Sequence, residues 1–147
     1  MRVDILVFKG ACGVSDDPYL RWGHIGVRFP HGPDIYGFGP AAGLAGSSGR
    51  LVSGEFSRHT QIFRKAVEKG LTVVSMRTRC VEPPILSSRL RHINTLKFAL
   101  PTCAPNEISA GVATNCVGAL GYLGVLLPAS SLYIGEIFKL AIHRRDF

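Results

Sequence analysis

Two short segments constrain this chain more than anything else in it: Gly23-His24-Ile25-Gly26-Val27-Arg28-Phe29 near its start and Thr114-Asn115-Cys116-Val117-Gly118 near its end. The first alternates like a strand, with Ile25, Val27 and Phe29 on one face and His24, Gly26 and Arg28 on the other. His24 therefore leaves the core-facing row. The second opens a helix, with Thr114 suited to an N-cap position and Asn115 equally able to cap. A fold that joins the two sets an imidazole beside a thiol at a helix N-terminus. There, unpaired amide N–H groups and the positive end of the helix dipole favour thiolate.

The rest of the chain supplies strands first and helices later. Val3, Ile5 and Val7 alternate with Arg2, Asp4 and Leu6, which predicts a strand over 2–8. Gly10 to Gly23 reads as a loop, with the Asp16-Asp17-Pro18 cluster as a turn signal. Pro30-His31-Gly32-Pro33 turns the chain into a second strand over 34–38, making an antiparallel hairpin. Residues 39–54 are glycine-rich without a period and read as a long loop. Residues 57–69 fit a helix or an edge strand, and 71–79 is a strand rich in Thr and Val. Pro83-Pro84 opens a helix in which Leu86, Leu90, Ile93, Leu96 and Leu100 recur at helical steps, ended by Pro101 to Pro105. A last helix is expected over 131–145. The expected fold class is α+β, a small antiparallel sheet packed against helices, in one domain over 1–147.

With 147 residues, 46% hydrophobic and 18% charged, one domain of this size buries a core without metals or disulfides. Cys12, Cys80, Cys103 and Cys116 show no C-x-x-C spacing and no histidines at zinc-finger intervals, so neither a metal nor another cofactor is expected. The apolar run from Val117 to Leu127 is about half the length that crosses a bilayer, so no transmembrane segment is expected. Asp4 interrupts the N-terminal apolar run, and no cleavable signal pattern is present. The expectation is a protein made in a reducing cytoplasm. A net charge of +7 and a pI near 9.6 favour an anionic partner: cell-wall polymer, an anionic membrane face or an acidic protein. Nucleic acid is not expected, because the basic residues are scattered without a helix-turn-helix or single-strand-binding signature. The glycine-rich 39–54 segment lacks the Gly-Lys-Ser/Thr of a phosphate cradle.

A cysteine nucleophile needs a depressed thiol pKa, a base, and donors aimed at the developing oxyanion. Cys116 meets the first by its helix position and His24 supplies the second. The Cys116 backbone N–H with a neighbouring donor supplies the third. Trp22, Tyr36 and Asn115 are candidate substrate contacts, although a lone Trp such as Trp22 reads more readily as a core aromatic. His31, His59, His92 and His143 read as solvated surface groups. Cys80 and Cys103 have no activating partner in view. Cys12 is an alternative nucleophile that would put Cys before His, against which stands the lack of an amphipathic helix after it.

His24-Ile25-Gly26-Val27-Arg28-Phe29 resembles the histidine strand, and Thr114-Asn115-Cys116-Val117 the Asn-Cys helix start, of circularly permuted papain-like hydrolases of the NlpC-like superfamily. Lecithin retinol acyltransferase-like proteins have a similar order. Tyr36-Gly37-Phe38-Gly39-Pro40 resembles a segment of bacterial toxin and secretion-system effector domains, and together the matches span residues 22 to 127. The resemblance implies a permuted papain-like fold, attack by Cys116 on a carbonyl, proton transfer through His24 and an acyl-enzyme. It further implies a polar third residue on the strand after the histidine. That strand offers Asp34 and Tyr36, while the family's position falls nearer Gly37. Asp34 is the expected choice, because a carboxylate also stabilises imidazolium.

Three functions follow as expectations. The first is an amide hydrolase that cleaves cell-wall peptide (a peptidoglycan endopeptidase or amidase), with a protein-directed variant acting inside a target cell. Export into that cell by a dedicated secretion system and a cognate inhibitor protein go with this reading. The second is a lipid acyltransferase or thioesterase using the same Cys-His site, and the third a catalytically inactive binding module.

Overall fold

The computed structural model describes residues 1–11, 13, 17–41, 51–99, 113–128 and 134–144. In chain order the elements are β1 (Arg2–Lys9), α1 (Pro18–Trp22), β2 (Gly23–Arg28), β3 (Ile35–Pro40), β4 (Leu51–Arg58), α2 (Thr60–Glu68) and β5 (Val74–Arg79). There follow α3 (Pro83–His92), a 3-10 turn (Ile93–Thr95), β6 (Lys97–Ala99), β7 (Ala113–Thr114), α4 (Cys116–Leu123) and α5 (Ile134–His143). The fold is α+β.

The strands form one seven-stranded sheet in the order β5-β1-β2-β3-β4-β6-β7, larger than the small sheet expected. All neighbours are antiparallel except the β6–β7 pair. The alternation read from β1 and β2 sorts their side chains onto two buried faces. Val3, Ile5, Val7, Ile25 and Val27 pack beneath α4 and α5. Leu6 and Phe8 face the other way and are covered by Leu20 of α1 and by Phe63 and Ala66 of α2. The sheet therefore has no wet face at its centre, and a side chain that leaves the first row enters a second core.

Several boundaries differ from expectation for local reasons. The Asp17-Pro18 signal is a helix start, since Asp17 Oδ1 accepts the Tyr19 N–H at 2.9 Å and Pro18 takes the first helical position. The leucine-rich helix stops at His92 instead of running to 100. Asn94 Oδ1 accepts the Phe56 N–H at 2.8 Å and the Thr95 hydroxyl donates to the His92 carbonyl at 2.6 Å, so both short polar side chains compete with helix continuation. Residues 51–54 belong to β4 rather than to a loop, and 57–69 divides into the end of β4 and α2. Among the described residues no helix is long and apolar enough to cross a membrane. The expectations for Cys12, Cys103, the loop centre at 42–50, the proline segment 101–105 and the ends of the last helix lie outside the described residues.

Glycines mark where the packing is closest. A methyl group on Gly54 of β4 would run into the ring of Phe38, whereas one on Gly121, on the exposed side of α4, would meet nothing within 4 Å. Gly54→Ala is expected to destabilise the protein by about 1–3 kcal/mol through overpacking. Gly121→Ala should stabilise it by about 0.5–1 kcal/mol through helix propensity. Guanidinium unfolding of the two variants against the parent checks both signs.

Candidate active site

β2 and β3 pair only at Val27–Tyr36 and Arg28–Ile35. Toward His24 and Gly37 they part, and the candidate site is built in the opening. α4 packs on both strands and delivers Cys116 from one side of the sheet. α1 and the β4–α2 junction deliver Tyr19 and His59 from the other.

Asn115 is the N-cap of α4: its backbone is extended and its Oδ1 accepts from the N–H groups of Val117 at 2.9 Å and Gly118 at 3.0 Å. This fixes Cys116 as the first helical residue. The thiol is 4% exposed and receives backbone N–H groups from Ile25, from Val117 and from Cys116 itself. Those donors favour the thiolate, as the helix position led one to expect, but burial outweighs them and pushes the thiol up to about 11. The expectation of a depressed thiol pKa is thus reversed, and the resting group is a protonated thiol.

His24 is 1% exposed, because the face opposite Ile25 and Val27 is a second core. Its ring lies against Tyr19, His59 and Phe63, with centroids at 4.6, 4.9 and 5.6 Å. Nε2 is 2.8 Å from Nδ1 of His59, a contact in which one ring donates and the other accepts. Burial, then the neighbouring His59, holds His24 well below the ordinary histidine range. Burial alone pushes His59 from 6.5 down to about 4.

His59, which its sequence neighbours make look solvated, is only 8% exposed. Position 37 explains why it fits. A methyl group there would lie 2.7 Å from His59 Nδ1 and 2.8 Å from His24 Nε2, so the bare glycine leaves the space that His59 enters from the end of the next strand. No local pattern signals this, because the flanking Arg58 and Thr60 make the segment look solvated. The only hint is the missing side chain at position 37.

Asp34 does not reach His24. Its carboxylate pairs with Arg58 at 3.3 Å and accepts from the Thr60 hydroxyl at 3.2 Å. The Thr60 oxygen accepts the Ile35 N–H at 3.0 Å, and the Ile35 carbonyl accepts the His59 N–H at 2.7 Å. Asp34 thus binds the residues on both sides of His59 without touching the imidazoles. Tyr36 is also away from the site: it alternates with Gly37 onto the opposite face and lies against Phe29 and Phe56, centroids 6.1 Å away in each case.

Trp22, His24, Asn115 and Cys116 do line one cavity, together with Tyr19, Pro18, Pro40, Phe98 and Ile134. Its walls are mostly apolar. Cys80 is buried but is not among the residues lining it, and His31, His92 and His143 are exposed. Among the described residues no group of three or more His, Cys, Asp or Glu could hold a metal ion.

The buried imidazoles set a pH dependence of stability. Between pH 6.5 and about 4 the unfolded chain binds a proton at His59 that the folded protein refuses, so stability falls with pH in that window. The loss for His59 alone is expected to be about 3 kcal/mol, with a further loss from His24. Guanidinium unfolding at pH 7, 5.5 and 4 should show the decline, and His59→Asn should reduce its slope.

Comparison with protein-family models, with curated proteins and with solved structures finds no match to this chain.

Proposed function

We propose that the protein is a cysteine-nucleophile hydrolase with Cys116 as nucleophile, His24 as base and His59 as the residue that orients the base. The observation that carries this reading is the 2.8 Å contact between His24 Nε2 and His59 Nδ1, His24 itself lining one cavity with Cys116. That contact leaves His24 Nδ1 for the thiol proton. Nε2 then carries hydrogen and donates to His59, whose Nδ1 accepts. The arrangement fixes tautomer and ring direction, the task of the third member of a catalytic triad.

The resting site is uncharged, since burial disfavours both the thiolate and the imidazolium. Attack is therefore coupled to proton transfer. As Sγ bonds to the carbonyl carbon, its proton passes to His24 Nδ1 and the carbonyl π pair moves to oxygen. Collapse expels the leaving amine or alcohol, which takes that proton, and water resolves the acyl-enzyme by the reverse sequence.

For the substrate we propose the peptide of bacterial cell wall, reached after delivery of the protein as an effector into a target cell. The net charge of +7 suits that anionic polymer. A specific observation favours a second reading: Trp22, Phe98, Ile134 and two prolines line the cavity, which suits an acyl chain in a lipid ester or thioester.

Incubation with purified muropeptides, and separately with phospholipid vesicles, followed by mass spectrometry, distinguishes these. Cys116→Ala should abolish turnover and His24→Ala lower it by about 10²–10⁴-fold. His59→Ala should lower it less than His24→Ala and more than Asp34→Ala. Turnover of phospholipid alone would select the acyl reading. No turnover of either, with Cys116 labelled by iodoacetamide no faster than an ordinary buried thiol, would leave a binding module.

A further inference from the structure

Tyr19 lines the cavity and carries a hydroxyl that the residue roles above do not use. It sits in the single-turn helix immediately before His24, and its position is fixed from both ends. Its N–H donates to Asp17 Oδ1 at 2.9 Å, and its carbonyl accepts from the N–H of Gly23. The Leu20 carbonyl, next in sequence, accepts the Ala11 N–H at 3.0 Å. The phenol ring stands edge-on to both imidazoles, with centroids 4.6 Å from His24 and 5.4 Å from His59. Its hydroxyl end rests on Gly39, where any side chain would collide with it. Gly39 lies on the same bare face of β3 as Gly37, so the strand leaves room first for the two imidazoles and then for the phenol.

We propose that the Tyr19 hydroxyl is an oxyanion donor for acyl transfer at Cys116, acting with the Cys116 backbone N–H. The assignment rests on the cysteine-nucleophile reading and names a residue which that reading lacked. Attack by Sγ moves the carbonyl π pair onto oxygen. Tyr19 donates a hydrogen bond to that oxygen and keeps its proton, while the thiol proton goes to His24. Asn115, also in the cavity, is held by its two hydrogen bonds to the N-terminus of α4. Burial and the nearby Cys116 push the Tyr19 pKa above its ordinary value of 10, so the hydroxyl remains a donor throughout the working pH range. Tyr19 appears in no sequence motif, because the Asp-Pro turn signal before it hides the helix that aims it.

Two reagents separate a donor from a packing residue. Iodoacetamide alkylates Cys116 at a saturated carbon and develops no oxyanion; p-nitrophenyl acetate acylates it through a tetrahedral oxyanion, releasing p-nitrophenolate and leaving acetyl-Cys116. Tyr19→Phe keeps the ring and removes only the hydroxyl. Acylation at Cys116, followed by p-nitrophenolate release and peptide mass spectrometry with Cys116→Ala as background, should slow by about 10²–10³-fold while alkylation stays within about twofold of the parent. If both rates fall together, or neither falls, the hydroxyl is no oxyanion donor and Tyr19 only packs the imidazoles. If the parent itself is not acylated at Cys116, the cysteine-nucleophile reading fails, and the role of Tyr19 fails with it.

Discussion

The separation of β2 from β3 after two residue pairs governs the rest of the candidate site. A continuous ladder beyond Val27 and Tyr36 would spend the backbone groups of both strands on each other. Once the strands part, the freed donors must find partners, because a buried unpaired N–H is costly. The Ile25 N–H is directed at the Cys116 sulfur. A backbone group released by the break in the sheet thereby becomes a partner of the thiol. Side chains of both cores line one cavity: Cys116 belongs with α4 and α5, whereas His24 lies against Phe63 of α2.

The same burial that holds these groups in place sets their charge. Cys116 is pushed up and both histidines are pushed down, so the neutral thiol and neutral imidazoles are the forms that fit the folded protein. An isolated charge on any one of them is disfavoured by desolvation. A thiolate and an imidazolium that form together attract each other in the same low-dielectric space, and an oxyanion needs donors already in place. Neutral resting groups therefore suit the proposed reaction, in which charge appears only transiently, unlike a resting ion pair at an exposed helix terminus.

What was legible in the sequence follows from how local each cause is. Period-two alternation placed β1, β2 and β3, and the Asn-Cys start placed α4, because those signals are carried by adjacent residues. The second core was not legible: nothing in Leu6 or His24 says that α2 covers their face. The end of α3 is hidden in the sequence because Asn94 and Thr95 interrupt a leucine pattern that itself continues. Cys116 and His24 line one cavity, as the two motifs required, and Asn115 caps the helix that carries the cysteine. Asp34 has the carboxylate and the strand expected of a partner for His24, but pairing with Arg58 and Thr60 takes it away from His24. The polar neighbours of His59 mask it in the sequence, because its place depends on an absence at Gly37 in another strand.

That dependence gives the Tyr36-Gly37-Phe38-Gly39-Pro40 segment its physical meaning. Tyr36 and Phe38 point into the core under α4, and the alternation of a strand forces positions 37 and 39 onto the opposite face. Both are glycine, and the space above them holds the His24–His59 contact and the Tyr19 hydroxyl. A larger residue at 37 would itself stand where His59 now stands. The third polar group therefore enters from the following strand end, held there by Asp34 through Thr60 and Ile35. One strand serves two purposes at once: its large side chains anchor the sheet to α4, and its missing side chains make room for two imidazoles and a phenol on the other face.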